Sequence, residues 1–371
     1  RTVDGNDFVS VSQDDEGIVL RLLSYLNGDM MANVEHNPEM FYSLGLLLAK
    51  MDTLLLDHRD LPIESRRYEW DIKNLDMNKD LLKFNQDPAD RKLVDYYFRQ
   101  FDEFVRPLLD KMRKSIIHAD ANDLNIIVKD KQVAGLIDFG DLMHSVLVYE
   151  IAIAISYALM YKEDPLPWAI PIIQGYCEVL PLEEIEIDNL YYLIATRLCM
   201  TICRAAYSKV EFPENEYLQV SDQPARRLLQ KWISINPAKA IDEFRKAANL
   251  PPRKKKEVGP LIQERNRHLS TVLSVSYHEP IIMEKAAFQY MFDNEGDTFL
   301  DARNNISHVG HCHPRIAGAS QRMMHTLNTN TRYIYNELND YAARLLAKFP
   351  EPLNKVFFVN SGSAASDLAL R

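Results

Sequence analysis

Residues 118–141 read HADANDLNIIVKDKQVAGLIDFGD, and this stretch decides how the rest of the chain is understood. It holds His-x-Asp, an Asn five residues after that Asp, two short apolar runs, and a second Asp in Ile-Asp-Phe-Gly-Asp. The runs at 126–128 and 133–137 flank a polar turn at 129–132, which predicts a β-hairpin. Asn125 and Asp138 then stand at neighbouring strand ends. Phosphoryl transfer needs a carboxylate to orient and deprotonate the attacking hydroxyl, and oxygen ligands that hold magnesium on the phosphates. Asp120 suits the first task; Asn125 and Asp138 suit the second. Singly, each of the three reads better as a turn or surface residue, and their joint spacing carries the assignment.

Composition bounds the partners. The chain has 371 residues, room for two or three domains. At 47% hydrophobic and 26% charged it is ordinary for a globular protein, and its net charge of −10 argues against nucleic acid as the main partner. One basic run, RKKK at 253–256, reads as solvated linker charge. Cys177, Cys199, Cys203 and Cys312 have neither metal-ligand spacing nor the density of a disulfide scaffold, and Cys199 and Cys203, four apart on a predicted helix, read as core. No apolar run is long enough to span a bilayer and no secretory signal opens the chain, so a cytoplasmic protein without a membrane partner is expected. The sequence begins at Arg1 and stops at Arg371 inside a predicted helix, which suggests a piece of a longer chain.

Upstream of the opening stretch, residues 7–26 predict a hairpin around Gln13-Asp14-Asp15-Glu16-Gly17, broken afterwards by Asn27-Gly28. Apolar residues at 40, 44, 47, 48, 51 and 55 mark an amphipathic helix over 38–56. Residues 66–75 and 90–112 continue in helical style, with Trp70-Asp71 read as core beside a solvated face. Downstream, 146–160 is a buried helix, too short for a membrane span. Its Glu150 must be paired, at the helix start, or facing the site, because an unpaired buried carboxylate is costly. Residues 190–207 predict another helix, whose Arg197 and Arg204 either meet an acidic group on a substrate or pair with neighbouring acids.

Around residues 249–260, NLPPRKKKEVGP marks a linker. Beyond it, 290–300 predicts two short strands around Asn-Glu-Gly-Asp. His308, His311 and His313 have no partner at a familiar zinc spacing, and no metal is assigned to them. The apolar run 356–359 predicts a buried strand that enters a small-residue turn, NSGSAAS, and then a helix. Backbone N–H groups at such a helix start suit a phosphate.

These motifs carry two family resemblances. HADANDLN followed by LIDFGD resembles the catalytic and metal-binding loops of the aminoglycoside phosphotransferase family, small-molecule kinases of α+β protein-kinase-like fold. The resemblance covers residues 1–250 and implies a mostly helical C-lobe with the end of the N-lobe. It also implies ATP and magnesium as cofactors, Asp120 as base, Asn125 and Asp138 as metal ligands, and His118 as a structural residue. By the same likeness, the Gly-rich strand and phosphate-binding lysine would lie before Arg1. After a linker at 251–262, residues 263–371 resemble the N-terminal part of a class III aminotransferase, an α/β pyridoxal-phosphate enzyme of fold type I, and most of all its phospho-lyase branch. LSVSYHEPI, DARNNISHVGHCHP, LNTNTRY and FFVNSGSAASDLALR carry the likeness. It implies that Ser361, Gly362 and Ser363 hold the cofactor phosphate, and that the complete protein is a homodimer. Ala364 and Ser366 stand where the family has Glu and Asn. The Schiff-base lysine and the acid at the pyridine nitrogen lie further downstream in the family.

Together the resemblances lead to an ATP-dependent kinase acting on the hydroxyl of an amino alcohol or amino acid, followed by pyridoxal-phosphate-dependent loss of that phosphate. The alternatives are a kinase joined to an ordinary class III transaminase, and a catalytically incomplete piece with a binding role.

Overall fold

Asn37 and Pro38 start the first long helix: the Asn37 side chain accepts from the Met40 N–H at 2.8 Å, and Pro38 needs no donor at the first helical position. The computed structural model describes residues 8–13, 16–303 and 308–371. This helix, α1 (Pro38–Leu55), turns Met40, Phe41, Leu44, Leu48 and Ala49 into the core at helical spacing. Short helices α2 (Leu61–Ser65) and α3 (Asp76–Lys79) precede α4 (Pro88–Gln100). Then come α5 (Val148–Ala158), α6 (Leu166–Val179), α7 (Glu184–Glu211), α8 (Asp222–Trp232) and α9 (Pro237–Ala247). α5 is buried throughout, as the apolar run at 146–160 predicts. The segment expected at 190–207 is the middle of α7, which packs against α4, α5, α8 and α9.

One helical expectation fails. Residues 66–71 leave α2 as an irregular turn, because Asp71 is buried and its carboxylate accepts from the Lys73 N–H at 3.0 Å and the Ser145 hydroxyl at 2.8 Å. Capping favours Asp outside a helix interior.

α1 and α6 cross at a pair of glycines. A Cβ on Gly45 would lie 2.1 Å from the Ile172 carbonyl oxygen, and one on Gly175 would lie 2.0 Å from that of Tyr42. Both obstacles are backbone and cannot rotate away. Gly175→Ala is therefore expected to destabilise by about 1–3 kcal/mol, more than the ~1 kcal/mol that alanine gains over glycine in a helix. Urea unfolding that found the variant as stable as its parent would refute this close crossing.

The strands are short. β1 (Val9–Gln13) and β2 (Glu16–Leu20) form the expected antiparallel hairpin, while Asp14 and Asp15 of its turn lie outside the described residues. β3 (Asp29–Met30), β5 (Ile126–Lys129) and β6 (Gln132–Leu136) make one sheet, and β4 (Lys114–Ile117) pairs with β7 (Met143–Val146). The strands expected at 290–300 are joined by one more, giving an antiparallel meander of β8 (Met283–Ala287), β9 (Tyr290–Asp293) and β10 (Thr298–Leu300).

This meander falls in the same compact unit as the helices, Arg1–Pro314. The Asn236 side-chain amide donates to the Asp293 and Asp297 carbonyls at 3.0 and 2.8 Å. Lys285 lays its ammonium over the Phe104 and Tyr192 rings and donates to the Tyr192 hydroxyl, and burial pushes its pKa down to about 8. The stretch read as a linker has neither helix nor strand over 251–257 and then continues as α10 (Val258–His268).

The second unit, Arg315–Arg371, carries α11 (Pro314–Thr326), α12 (Asn336–Leu346) and α13 (Gly362–Leu370). The buried strand expected at 356–359 does not form there, and Phe357 is 80% exposed. An apolar run becomes a strand only beside another strand, and the described residues of this unit contain none.

Candidate active site

Ile117 at the end of β4 pairs with Met143 at the start of β7, so the chain leaves one strand and enters the other at the same edge. The loops at 118–125 and 137–142 therefore face each other. Between them, the β5–β6 hairpin turns through Asp130 and Lys131, both at positive φ, in the two-residue geometry that suits strand twist. The Ser43 hydroxyl of α1 accepts from the Val133 N–H at 2.9 Å and anchors the hairpin. Ile137 N–H donates to the Asn125 carbonyl at 3.0 Å, which brings Asn125 and Asp138 side by side as their spacing predicts.

His118 ties the two loops together. Its Nε2 donates to the Ile137 carbonyl at 3.0 Å and its Nδ1 accepts from the Asp120 N–H at 3.2 Å, a pairing that selects the neutral Nε2–H tautomer. The edge of the ring meets Phe139 at 4.8 Å between centroids. Ala119 sits at φ 70°, a left-handed conformation that a residue with a Cβ adopts only under constraint.

Glu150 supplies that constraint. It lies in the first turn of α5, fully buried, and its Oε2 accepts from the Ala119 N–H at 3.1 Å. Of the three places open to it in the sequence, it occupies the helix start and is paired with the loop backbone. Burial raises its pKa. Asp52, also buried, accepts from the Tyr176 hydroxyl at 2.5 Å, and its pKa is pushed well up by burial and by the charge of Glu150.

Asp120 is held from both sides. Its Oδ2 accepts from the side-chain amides of Asn122 at 2.9 Å and Asn125 at 2.8 Å, and its Oδ1 faces Arg197 Nη2 at 3.5 Å. Burial raises its pKa, an effect that Arg197 and Asn122 offset in part and that Asp141 and Asp138 reinforce. A fixed carboxylate with increased proton affinity is suited to act as a general base. Asp138 is exposed, left-handed at φ 65°, with its Oδ1 accepting from the Gly140 N–H at 3.3 Å. Arg66 clamps the same loop through the Gly140 carbonyl at 3.0 Å and the Leu142 carbonyl at 3.4 Å.

A cavity of about 410 Å³ brings together Asp120, Asp138, Asp141, Trp70, Tyr157 and Arg197. Asn125 does not line it: that residue stands behind Asp120, with its amide nitrogen committed and only Oδ1 left for a metal. Six carboxylates line the cavity against two arginines, Arg197 and Arg204. Of these acids, Asp222 is paired with Lys209 and Arg226, and Glu69 with Arg204. Asp120 has Arg197, while Asp123, Asp138 and Asp141 have no ion pair among the described residues. This excess of negative charge invites cations from outside.

Magnesium takes oxygen ligands, with one or two carboxylates completed by water and phosphate. Asp138, Asp141 and the Asn125 oxygen are donors of this kind, so the residues fit such an ion. Trp70, expected in the core, instead walls the cavity with its ring 4.3 Å from the Arg197 guanidinium carbon. Its adjacency to Arg197 spans 127 positions of sequence (197 − 70) and leaves no local signal.

In the second unit, Ser361 caps α13: its hydroxyl accepts from the Ala364 N–H at 3.0 Å. Nothing lies within 4 Å of where a Cβ on Gly362 would stand, so the helix start is open to a phosphate and the turn Ser361-Gly362-Ser363 fits one.

The sequence pattern of the phosphotransferase enzyme family matches residues 9–186. A hydroxylysine kinase of Mus musculus is 30% identical over 258 residues, covering 65% of this chain and 68% of that protein. The chain belongs to the phosphotransferase enzyme family. Its fold is accordingly the α+β protein-kinase-like one, and this phosphotransferase also carries part of a class III aminotransferase, whose pattern matches residues 272–371. There it is 47% identical over 111 residues to an alanine–glyoxylate aminotransferase 2-like protein of Drosophila melanogaster, covering 30% of this chain and 22% of that protein. An ethanolamine-phosphate phospho-lyase homolog 1 of Caenorhabditis elegans is 36% identical over 126 residues, covering 34% of this chain and 26% of that protein. The chain spans between 60% and 68% of the length of the hydroxylysine kinases it matches, and about a quarter of the length of the aminotransferase-type relatives.

Proposed function

We propose that the first unit transfers the terminal phosphoryl group of ATP to the hydroxyl of a small hydroxylated amine, and that in the complete protein a pyridoxal-phosphate site then removes that phosphate. Asp120 orients the hydroxyl and takes its proton as the new oxygen–phosphorus bond forms and ADP leaves. Asp138 and the Asn125 oxygen would hold magnesium, which would neutralise charge on the phosphates. His118 keeps the two loops in register. The convergence of Asp120 with Asp138 and Asp141 on one cavity carries the reading. Trp70 and Tyr157 wall the same cavity, with the Arg197 guanidinium over both rings.

The second step rests on the union, in one chain, of a part similar to hydroxylysine kinases with a part similar to a phospho-lyase homolog. Pyridoxal phosphate supplies an electron sink for bond cleavage near an amine. Ser361, Gly362 and Ser363 would hold its phosphate at the start of α13. An O-phosphorylated amine has both the amine such chemistry requires and a good leaving group, so the product of the first site is a fitting reactant for the second.

The complete protein, given ATP and hydroxylysine or ethanolamine, is expected to release ADP first and inorganic phosphate afterwards. ADP without phosphate would remove the second step. The Drosophila relative favours one other reading of that half, a transaminase; amino transfer to a 2-oxo acid without phosphate release would establish it.

A further inference from the structure

We infer that Arg197 receives a carboxylate of the substrate, which makes the preferred acceptor a hydroxylated amino acid and not an amino alcohol without an acid group. The inference rests on reading this cavity as the acceptor site. Arg197 projects from α7 and is 2% exposed, yet its Nε and Nη1 have no hydrogen-bond partner. Nη2 donates to the Tyr157 hydroxyl at 3.2 Å and reaches Asp120 Oδ1 only at 3.5 Å. A buried guanidinium with idle donors is a costly arrangement unless an anion completes it.

Asp120 does not serve as that permanent anion. When the acceptor hydroxyl gives up its proton to Asp120, the carboxylate becomes neutral and Arg197 is left without a charge partner. An anion brought by the substrate removes the problem, and a carboxylate matches the planar fork of a guanidinium. The guanidinium carbon already lies over the Trp70 ring, 4.3 Å from its centroid. Arg204 is not equivalent: its Nε donates to the Asn78 side-chain oxygen at 2.9 Å and its Nη1 pairs with Glu69 at 3.5 Å. The cavity thus has one prepared anion position, next to the base and against its aromatic wall.

The test is binding of free lysine and of cadaverine, its decarboxylated counterpart, to the full chain by calorimetry. Neither carries the hydroxyl, so binding is read without turnover. Lysine is expected to bind roughly 10- to 100-fold tighter than cadaverine, the range for hydrogen bonds to a charged group. Arg197→Met should abolish the preference for lysine over cadaverine, while Arg197→Lys should retain part of it. Equal affinity of the parent for the two amines overturns the inference, and that comparison does not depend on any variant folding. So does an Arg197→Met variant that weakens ATP and leaves lysine unaffected, because the guanidinium would then serve the nucleotide phosphates. A protein that prefers lysine but releases no ADP with hydroxylysine would keep the carboxylate site and lose the kinase reading.

Discussion

Asp120→Asn is expected to lower kcat for phosphoryl transfer by about 10²- to 10⁴-fold, the usual worth of a positioned general base, while ATP affinity stays near that of the parent. The substitution keeps the size of the side chain and an oxygen to accept from Asn122 and Asn125. What it loses is the capacity to take a proton. Steady-state kinetics with calorimetric ATP binding separates the two effects. A variant within tenfold of the parent kcat, or one whose whole defect lies in nucleotide binding, would remove Asp120 from the base role. The parent should also show an acid limb. A base must be ionised to act, and burial raises the pKa of Asp120, so activity should rise with pH through a range above that of an ordinary carboxylate.

How much of this site could be read from sequence depends on how local its parts are. His118, Asp120, Asn125 and Asp138 lie within 24 residues (118 to 141), and β4, the β5–β6 hairpin and β7 bring them together with little help from elsewhere. Spacing alone therefore predicted their proximity. Glu150, Arg197 and Trp70 come from distant elements: the packing of α5 and α7 aims the first two at the loops, and the turn that follows α2 supplies the third. A helical pattern across 190–207 could not choose between Arg197 and Arg204, since both lie on a helix buried on nearly all sides. The choice follows from partners: Arg204 has them, and two donors of Arg197 do not.

Trp70-Asp71 misled for a related reason. The pair sits between helical patterns; Asp71 caps the turn through the Lys73 N–H, and the Ser145 hydroxyl, 74 positions away (145 − 71), holds the buried carboxylate there. The run at 356–359 has the composition of a strand, but composition does not supply a neighbouring strand.

Glu150 holds the backbone beside the base through the Ala119 N–H. Glu150→Ala leaves the Ala119 N–H without an acceptor in a buried position and opens a cavity beside it, so a loss of about 2–4 kcal/mol is expected. Activity should fall as well. Ala119 is held at φ 70° next to Asp120, and without its acceptor the backbone can relax toward an ordinary conformation that moves the base. Glu150→Gln separates acceptor from charge. It keeps an oxygen for the Ala119 N–H, so stability and activity near neutral pH should stay close to the parent.

The pH dependence of stability should nevertheless change in Glu150→Gln. The folded-state pKa values of Glu150 and Asp52 lie above their unfolded values, so the folded state holds protons that the unfolded chain releases. Their contribution is fully present below the unfolded values and is lost as pH rises through the raised ones. The parent should therefore lose stability on going up from about pH 4.5, and Glu150→Gln should lose less over the same range. Urea midpoints measured across that range decide the matter. Parallel pH profiles for parent and Glu150→Gln would mean that burial does not hold a proton on this acid. A Glu150→Ala variant that remained stable and active would mean that Ala119 keeps its conformation by other means, and the loop would then owe its geometry to His118 and the hairpin alone.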